Sequence, residues 1–118
     1  MIRDAIAILA HLFVRYGRAE EAVALLGAVA ELDADPAWAQ RARCIALLRA
    51  GRPAEAAAEA ERLLDGRLDD PERVPLLHAL ARACWALGRA EEARAAHLAA
   101  CNLAVVSLSR SAAEKRRR

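Results

Sequence analysis

The chain has 118 residues and a formal net charge of +2; 57% of it is hydrophobic but only 3% aromatic. That length makes one domain with a real core and not two independent units. About a quarter of the residues are alanine, glycines and prolines are few, and long β-branched runs are missing, so the class is all-α, with helices packed at short range.

In chain order, residues 2–16 form the first predicted helix, closed by Gly17. Ile6, Leu9, Ala10 and Phe13 give it a buried stripe at i, i+3, i+4, i+7. The second spans residues 19–32 and buries Ala22, Leu25, Leu26 and Val29. Asp33-Ala34-Asp35-Pro36 stops it, with Asp35 as N-cap and Pro36 in the first turn of the third helix, residues 36–50. The fourth begins at Pro53 and fades near Asp65-Gly66. After a short linker, Asp70-Pro71 starts the fifth, residues 71–87, with Pro75 still near its first turn. The sixth runs from Ala90 to about Leu108 and is longer than the others. It caps the array by laying Leu98, Cys101, Val105 and Leu108 over the last apolar face. Residues 109–118 hold Arg110, Lys115, Arg116, Arg117 and Arg118 against Glu114 and are expected to be a disordered, solvated basic tail, leaving nucleic acid outside the expected partners.

The six predicted helices fall into three pairs, and one hexamer joins the members of each. Gly17-Arg18-Ala19-Glu20-Glu21-Ala22 returns as Gly51-Arg52-Pro53-Ala54-Glu55-Ala56 and as Gly88-Arg89-Ala90-Glu91-Glu92-Ala93. The glycines stand about 34 and 37 residues apart, the period of a tetratricopeptide (TPR) array, which the chain resembles over residues 2–108. Seven residues before each glycine a TPR needs something small, and Ala10, Cys44 and Ala81 supply it. Five after, Ala22, Ala56 and Ala93 do the same. The large apolar residue usual eight before is Leu9 and Leu80, but Arg43 in the middle. Eleven before, Ile6 and Leu77 fit and Gln40 does not. The expected architecture is three TPR-like helix pairs (residues 3–35, 36–70 and 71–108) in a short right-handed superhelix with a longer capping last helix.

Catalytic chemistry finds no constellation. His11, His78 and His97 sit on different helices, with no carboxylate at triad or H-E-x-x-H spacing. The Gly-Arg turns lack the G-x-x-x-x-G-K phosphate loop. Glu20-Glu21, Asp69-Asp70 and Glu91-Glu92 are adjacent, and adjacent helical residues diverge, so they are helix-start charges. Cys44, Cys84 and Cys101 have no C-x-x-C spacing and are expected on packed faces as small hydrophobes. No signal peptide is read in the opening residues, and no stretch reaches the roughly 18 apolar residues of a membrane span. The expectation is a reduced, cytoplasmic protein without enzyme activity, metal or cofactor, and not inserted in a membrane.

What remains is a surface. In a TPR the first helix of each pair lines the inner, concave face, thirteen, ten, six and three residues before the glycine. Those positions read Asp4, Ala7, His11 and Val14; then Trp38, Arg41, Ile45 and Leu48; then Pro75, His78, Arg82 and Trp85. The candidate partner-binding groove is Ala7, His11, Val14, Trp38, Arg41, Ile45, Leu48, His78, Arg82 and Trp85. It is apolar and carries both tryptophans, the commonest interface anchors, which suits an amphipathic helix in a groove. Trp38 and Trp85 have a second reading, as fillers between stacked repeats. The Lys, Arg and Asn clamp of TPRs that grip chaperone carboxylates is missing: no lysine precedes Lys115, and Asn102 is the one asparagine.

Within the TPR superfamily the layout resembles the small cytosolic chaperones of bacterial type III secretion, and most closely the Y-type group (SctY/YscY). That resemblance rests on residues 17–22 through Leu25-Leu26 and Leu32, on Arg41-Ala42-Arg43-Cys44-Ile45-Ala46-Leu47-Leu48, and on Gly51 and Glu55-Ala56. It implies a hetero-oligomer with an SctX-like secreted subunit and engagement of the export gate SctV. A needle-subunit (G-type) chaperone and a generic TPR adaptor outside secretion are the alternatives.

Overall fold

A computed structural model describes residues 2–66 and 68–118. It contains α1 (Ile2–Arg15), α2 (Ala19–Leu32), α3 (Ala37–Arg49), α4 (Pro53–Leu64), α5 (Asp70–Ala86) and α6 (Ala90–Arg117), with no strand among the described residues. Gly17, Gly51 and Gly88 adopt φ of 77°, 76° and 78°, the left-handed region that glycine enters without a Cβ clash. Each closes its helix with the same two bonds. The Gly88 N–H donates to the Trp85 carbonyl and the Arg89 N–H to that of Cys84; Gly51 and Arg52 do this with Leu48 and Leu47, and Gly17 and Arg18 with Val14 and Phe13.

The arginine after each glycine is the N-cap of the next helix and makes no side-chain bond to the backbone there. It reaches forward instead to a glutamate three residues on. Arg18 pairs with Glu21, Arg52 Nε donates to Glu55 Oε1 at 2.9 Å, and Arg89 lies 3.8 Å from Glu92. The glutamate is thereby held in the first turn, where the helix dipole favours negative charge. The repeated hexamer is one device: glycine ends a helix, and Arg-x-x-Glu opens its neighbour.

Each helix packs on the next in sequence; in addition α3 lies against α1, and α5 against α3. α5 and α6 run antiparallel, since Cys84 meets Glu92, His78 meets His97 and Asp70 meets Arg110. The core is built on Leu26, Leu47 and Leu76 and on buried alanines such as Ala22, Ala39, Ala56, Ala60 and Ala83. Alanines at the crossings allow close helix approach. Five of the six predicted small positions are buried, and Ala81 is half-buried.

Several expectations are corrected. Leu9 is exposed and Ile6 and Phe13 only half-buried, because no described helix covers that side of α1. On α6 the buried stripe is Ala93, Ala96 and Ala100, while Leu98, Cys101, Val105 and Leu108 face outward. Cys101 therefore does not join Cys44 and Cys84 in the interior. The 109–118 segment does not leave the helix at Ser109: α6 continues to Arg117, and Arg110 Nη1 bridges back to Asp70 Oδ2 at 3.3 Å. Asp35 is not the N-cap of α3; Pro36 holds that position, and Asp33 organises the turn instead.

Arg43, the departure from the TPR pattern, has a physical explanation. Its guanidinium passes over Gly27 in α2, where an added Cβ would sit 3.5 Å from Arg43 Nε, and its Nη1 reaches Glu59 of α4 at 3.4 Å. Glu59 also takes Arg62 Nη2 at 2.9 Å. A residue without a side chain on α2 and a carboxylate on α4 accommodate an arginine where its counterparts carry leucine.

Candidate functional site

Seven of the ten inner-face residues line three separate clefts rather than one trough, and Arg41, Leu48 and His78 line none of the three. Ala7, His11 and Val14 of α1 meet Ile45 of α3 in a depression of about 170 Å³ whose floor includes Leu26. Ile45, Ala7 and His11 are exposed and Val14 half-buried. Leu48 is half-buried against the core, and Arg41 is half-buried beside these residues in sequence. The structure therefore brings Ala7, His11 and Val14 of α1 beside Ile45 of α3.

Trp38 belongs to a second cleft of about 730 Å³, between the start of α1 and the end of α2, with Ile6, Val29 and Leu32. It is half-buried and tied down. Its indole Nε1 donates to Asp33 Oδ2 at 2.9 Å, and the Arg3 guanidinium lies 5.8 Å from its ring centroid, a cation–π distance. Arg3 Nη2 also bridges Asp33 Oδ1 at 3.3 Å. The Asp35 N–H, then the indole, then Arg3 hold the Asp33 carboxyl below its ordinary range, with burial working the other way. Trp38 thus closes the joint between the first two pairs, nearer the gap-filling reading than the groove reading. The sequence signal for this was Asp33 standing five residues ahead of a tryptophan, just past the end of α2.

The third cleft, about 360 Å³, lies between α5 and α6. Arg82 and Trp85 line it from α5, and Ala93, Arg94 and His97 from α6. Trp85 is 66% exposed, so it does not fill a gap within the fold. His78 also turns toward α6, its ring 5.7 Å from that of His97, and His97 Nε2 lies 3.7 Å from Cys101 Sγ. No group of three or more His, Cys, Asp and Glu side chains among the described residues is placed to share a metal ion. Exposed apolar residues that inner-face counting did not include are, among others, Ile8 and Leu12 on α1 and Leu98, Val105 and Leu108 on α6. The spacing of Leu98, Val105 and Leu108 was visible but read as a covering stripe, whereas Ile8 and Leu12 lie outside the α1 stripe of Ile6, Leu9, Ala10 and Phe13.

The two interior thiols are inert by environment. Burial, with help from Glu59, pushes the Cys44 thiol up to about 11, and its Sγ donates to the Ala56 carbonyl at 3.3 Å. Burial and then Glu92 raise that of Cys84. No described helix is long and apolar enough to cross a membrane.

No protein-family model matches the chain, and no curated protein matches it.

Proposed function

We propose that the chain is a TPR-type binding protein, a cytoplasmic chaperone that holds an amphipathic helical segment of a secreted type III component of the SctX kind. The observation that carries the binding part is the depression where Ala7, His11 and Val14 of one pair meet Ile45 of the next. Apolar side chains from two helices face solvent side by side there, with a polar edge from His11. A partner helix offering apolar residues at i, i+3, i+4 and i+7 fits such a surface. The secretion context rests on the resemblance in residues 17–56, and delivery to the export gate SctV follows from it.

Co-expression with an SctX-like subunit and co-purification test this reading. Ile45→Asp is expected to lose the complex, because it sets a charge against the partner's apolar anchors. Ile45 is exposed, so helix content of the variant stays at the wild-type value. A complex that forms equally well with Ile45→Asp and with Trp85→Ala overturns the reading.

A further inference from the structure

The two ends of the helix stack are complementary, and in the same way as the joint between its first two pairs. Counting from the turn glycines, Ala10, His11, Val14 and Leu26 of the first pair occupy the positions of Ala81, Arg82, Trp85 and His97 in the last. Both sets line a cleft between the two helices of their pair. In the first pair α3 enters it with Ala42, Ile45 and Ala46. In the last pair it stands open. The residues of α1 at the positions of Ala42, Ile45 and Ala46 are Ile8, His11 and Leu12, all exposed.

Two further contacts repeat the correspondence. Arg52 holds its own Glu55 and also reaches back to Glu20 of the preceding turn, Nη1 to Oε2 at 2.9 Å. The residues equivalent to Arg52 and Glu20 at the two ends are Arg18 and Glu91, both exposed, and Arg18 already holds Glu21 as Arg52 holds Glu55. Gly27 meets Arg43 across the joint of α2 and α3. Their equivalents at the ends are Leu98, 62% exposed, and Leu9, 43% exposed. Among the described residues, no helix lies over either of these two end faces.

We propose that a second copy of this chain docks end to end: α1 of one copy enters the cleft between α5 and α6 of another. Ile8 and Leu12 then pack at Trp85, Leu9 covers Leu98, and Arg18 takes Glu91 as Arg52 takes Glu20. The contact joins two different surfaces, so it is heterologous, and each added copy leaves a fresh end. The cleft is lined from α6 by Ala93, Arg94 and His97, so the basic last turns of that helix leave it clear. His11 borders both this face and the depression at Ile45, but the inference concerns the chain alone and does not depend on any secreted partner.

The test is the mass of the full-length chain in solution over a concentration series, by sedimentation or light scattering, for wild type, Ile8→Asp and Leu98→Asp. Wild type is expected to grow past the mass of a dimer as concentration rises. Each variant spoils one end with a carboxylate that would be buried against apolar side chains, so association weakens about tenfold or more. Both sites are exposed, so circular dichroism stays unchanged. Mixing the two variants is the decisive arm, because each keeps one intact end: a one-to-one dimer forms and stops there. The proposal is overturned by a wild type that is monomeric throughout, by a mixture that stays monomeric, or by Ile8→Asp associating like wild type, which would mean that α6 pairs with α6.

Discussion

The middle of the stack and its two ends use the same helix positions to opposite effect. Ala39 and Ala46 on α3, and Leu76 and Ala83 on α5, are buried; their counterparts on α1, Ala5 and Leu12, are exposed. The backbone turn that precedes α2, α4 and α6 is the same in each, and so is the spacing. What differs is whether a helix lies alongside. In a stacked architecture the neighbour decides burial, and an apolar residue alone does not.

Substitutions that separate middle from end give the largest expected effect. Leu47→Ala, at a fully buried position, should cost about 2–5 kcal/mol, whereas Leu98→Ala in the monomer should stay within about 0.5 kcal/mol. Urea unfolding at a concentration low enough to keep the chain monomeric measures both. Equal losses would mean that α6 is covered after all. The turns come next. Gly88→Ala meets nothing within 4 Å, so its cost is backbone alone, about 1–2 kcal/mol for a left-handed residue with a Cβ. Gly27→Ala sharpens the contrast with the opposite sign. Gly27 is a mid-helix glycine, and its new Cβ would make ordinary contact with Arg43, so a gain of about 0.5–1 kcal/mol is expected in the same unfolding experiment.

Smaller effects report on single groups. Asp33 has its carboxyl held below the ordinary value of 3.8, so the native state prefers the ionised form. Its contribution is complete above that value and is lost as the pH falls through the lowered one. With Trp85→Phe leaving Trp38 as the sole indole, Trp38 fluorescence should shift below pH 3.8, and Asp33→Asn should remove that transition. Thiol labelling of the native chain should modify Cys101 rapidly, and Cys44 and Cys84 only after unfolding. Fast labelling of Cys84 would place the open end deeper in the stack than α6.

Most of the helix plan was legible because the sequence marks it locally. Gly-Arg and Asp-Pro stop and start helices through backbone geometry that needs no tertiary context, and the starts and ends of α2 and α4 fall at the expected residues or one away. Small residues at crossings were legible for the same reason, since steric need follows the repeat. The outward faces of α1 and α6 were not. Leu9, Leu98 and Val105 have the spacing of a core stripe, and only the missing neighbour exposes them. Asp33 was overlooked because its bonds to Trp38 and Arg3 join three segments, which no local rule brings together. Arg43 departs from the leucine of its counterparts, and the residues that accommodate it, Gly27 and Glu59, stand on two other helices. Of the candidate site, the meeting of α1 and α3 at Ile45 followed from the register. The turning of Trp38 to Asp33 and of Trp85 to α6 did not.

The most direct test of the contrast between middle and ends is native-state hydrogen exchange on the wild-type chain at low and high concentration. The account predicts that, when dilute, amides of α3 and α5 exchange most slowly while those of α1 and the last turns of α6 exchange first. Raising the concentration should then protect α1 and the segment around Leu98 together. Protection of α1 and α6 equal to that of α3 in the dilute monomer would contradict it.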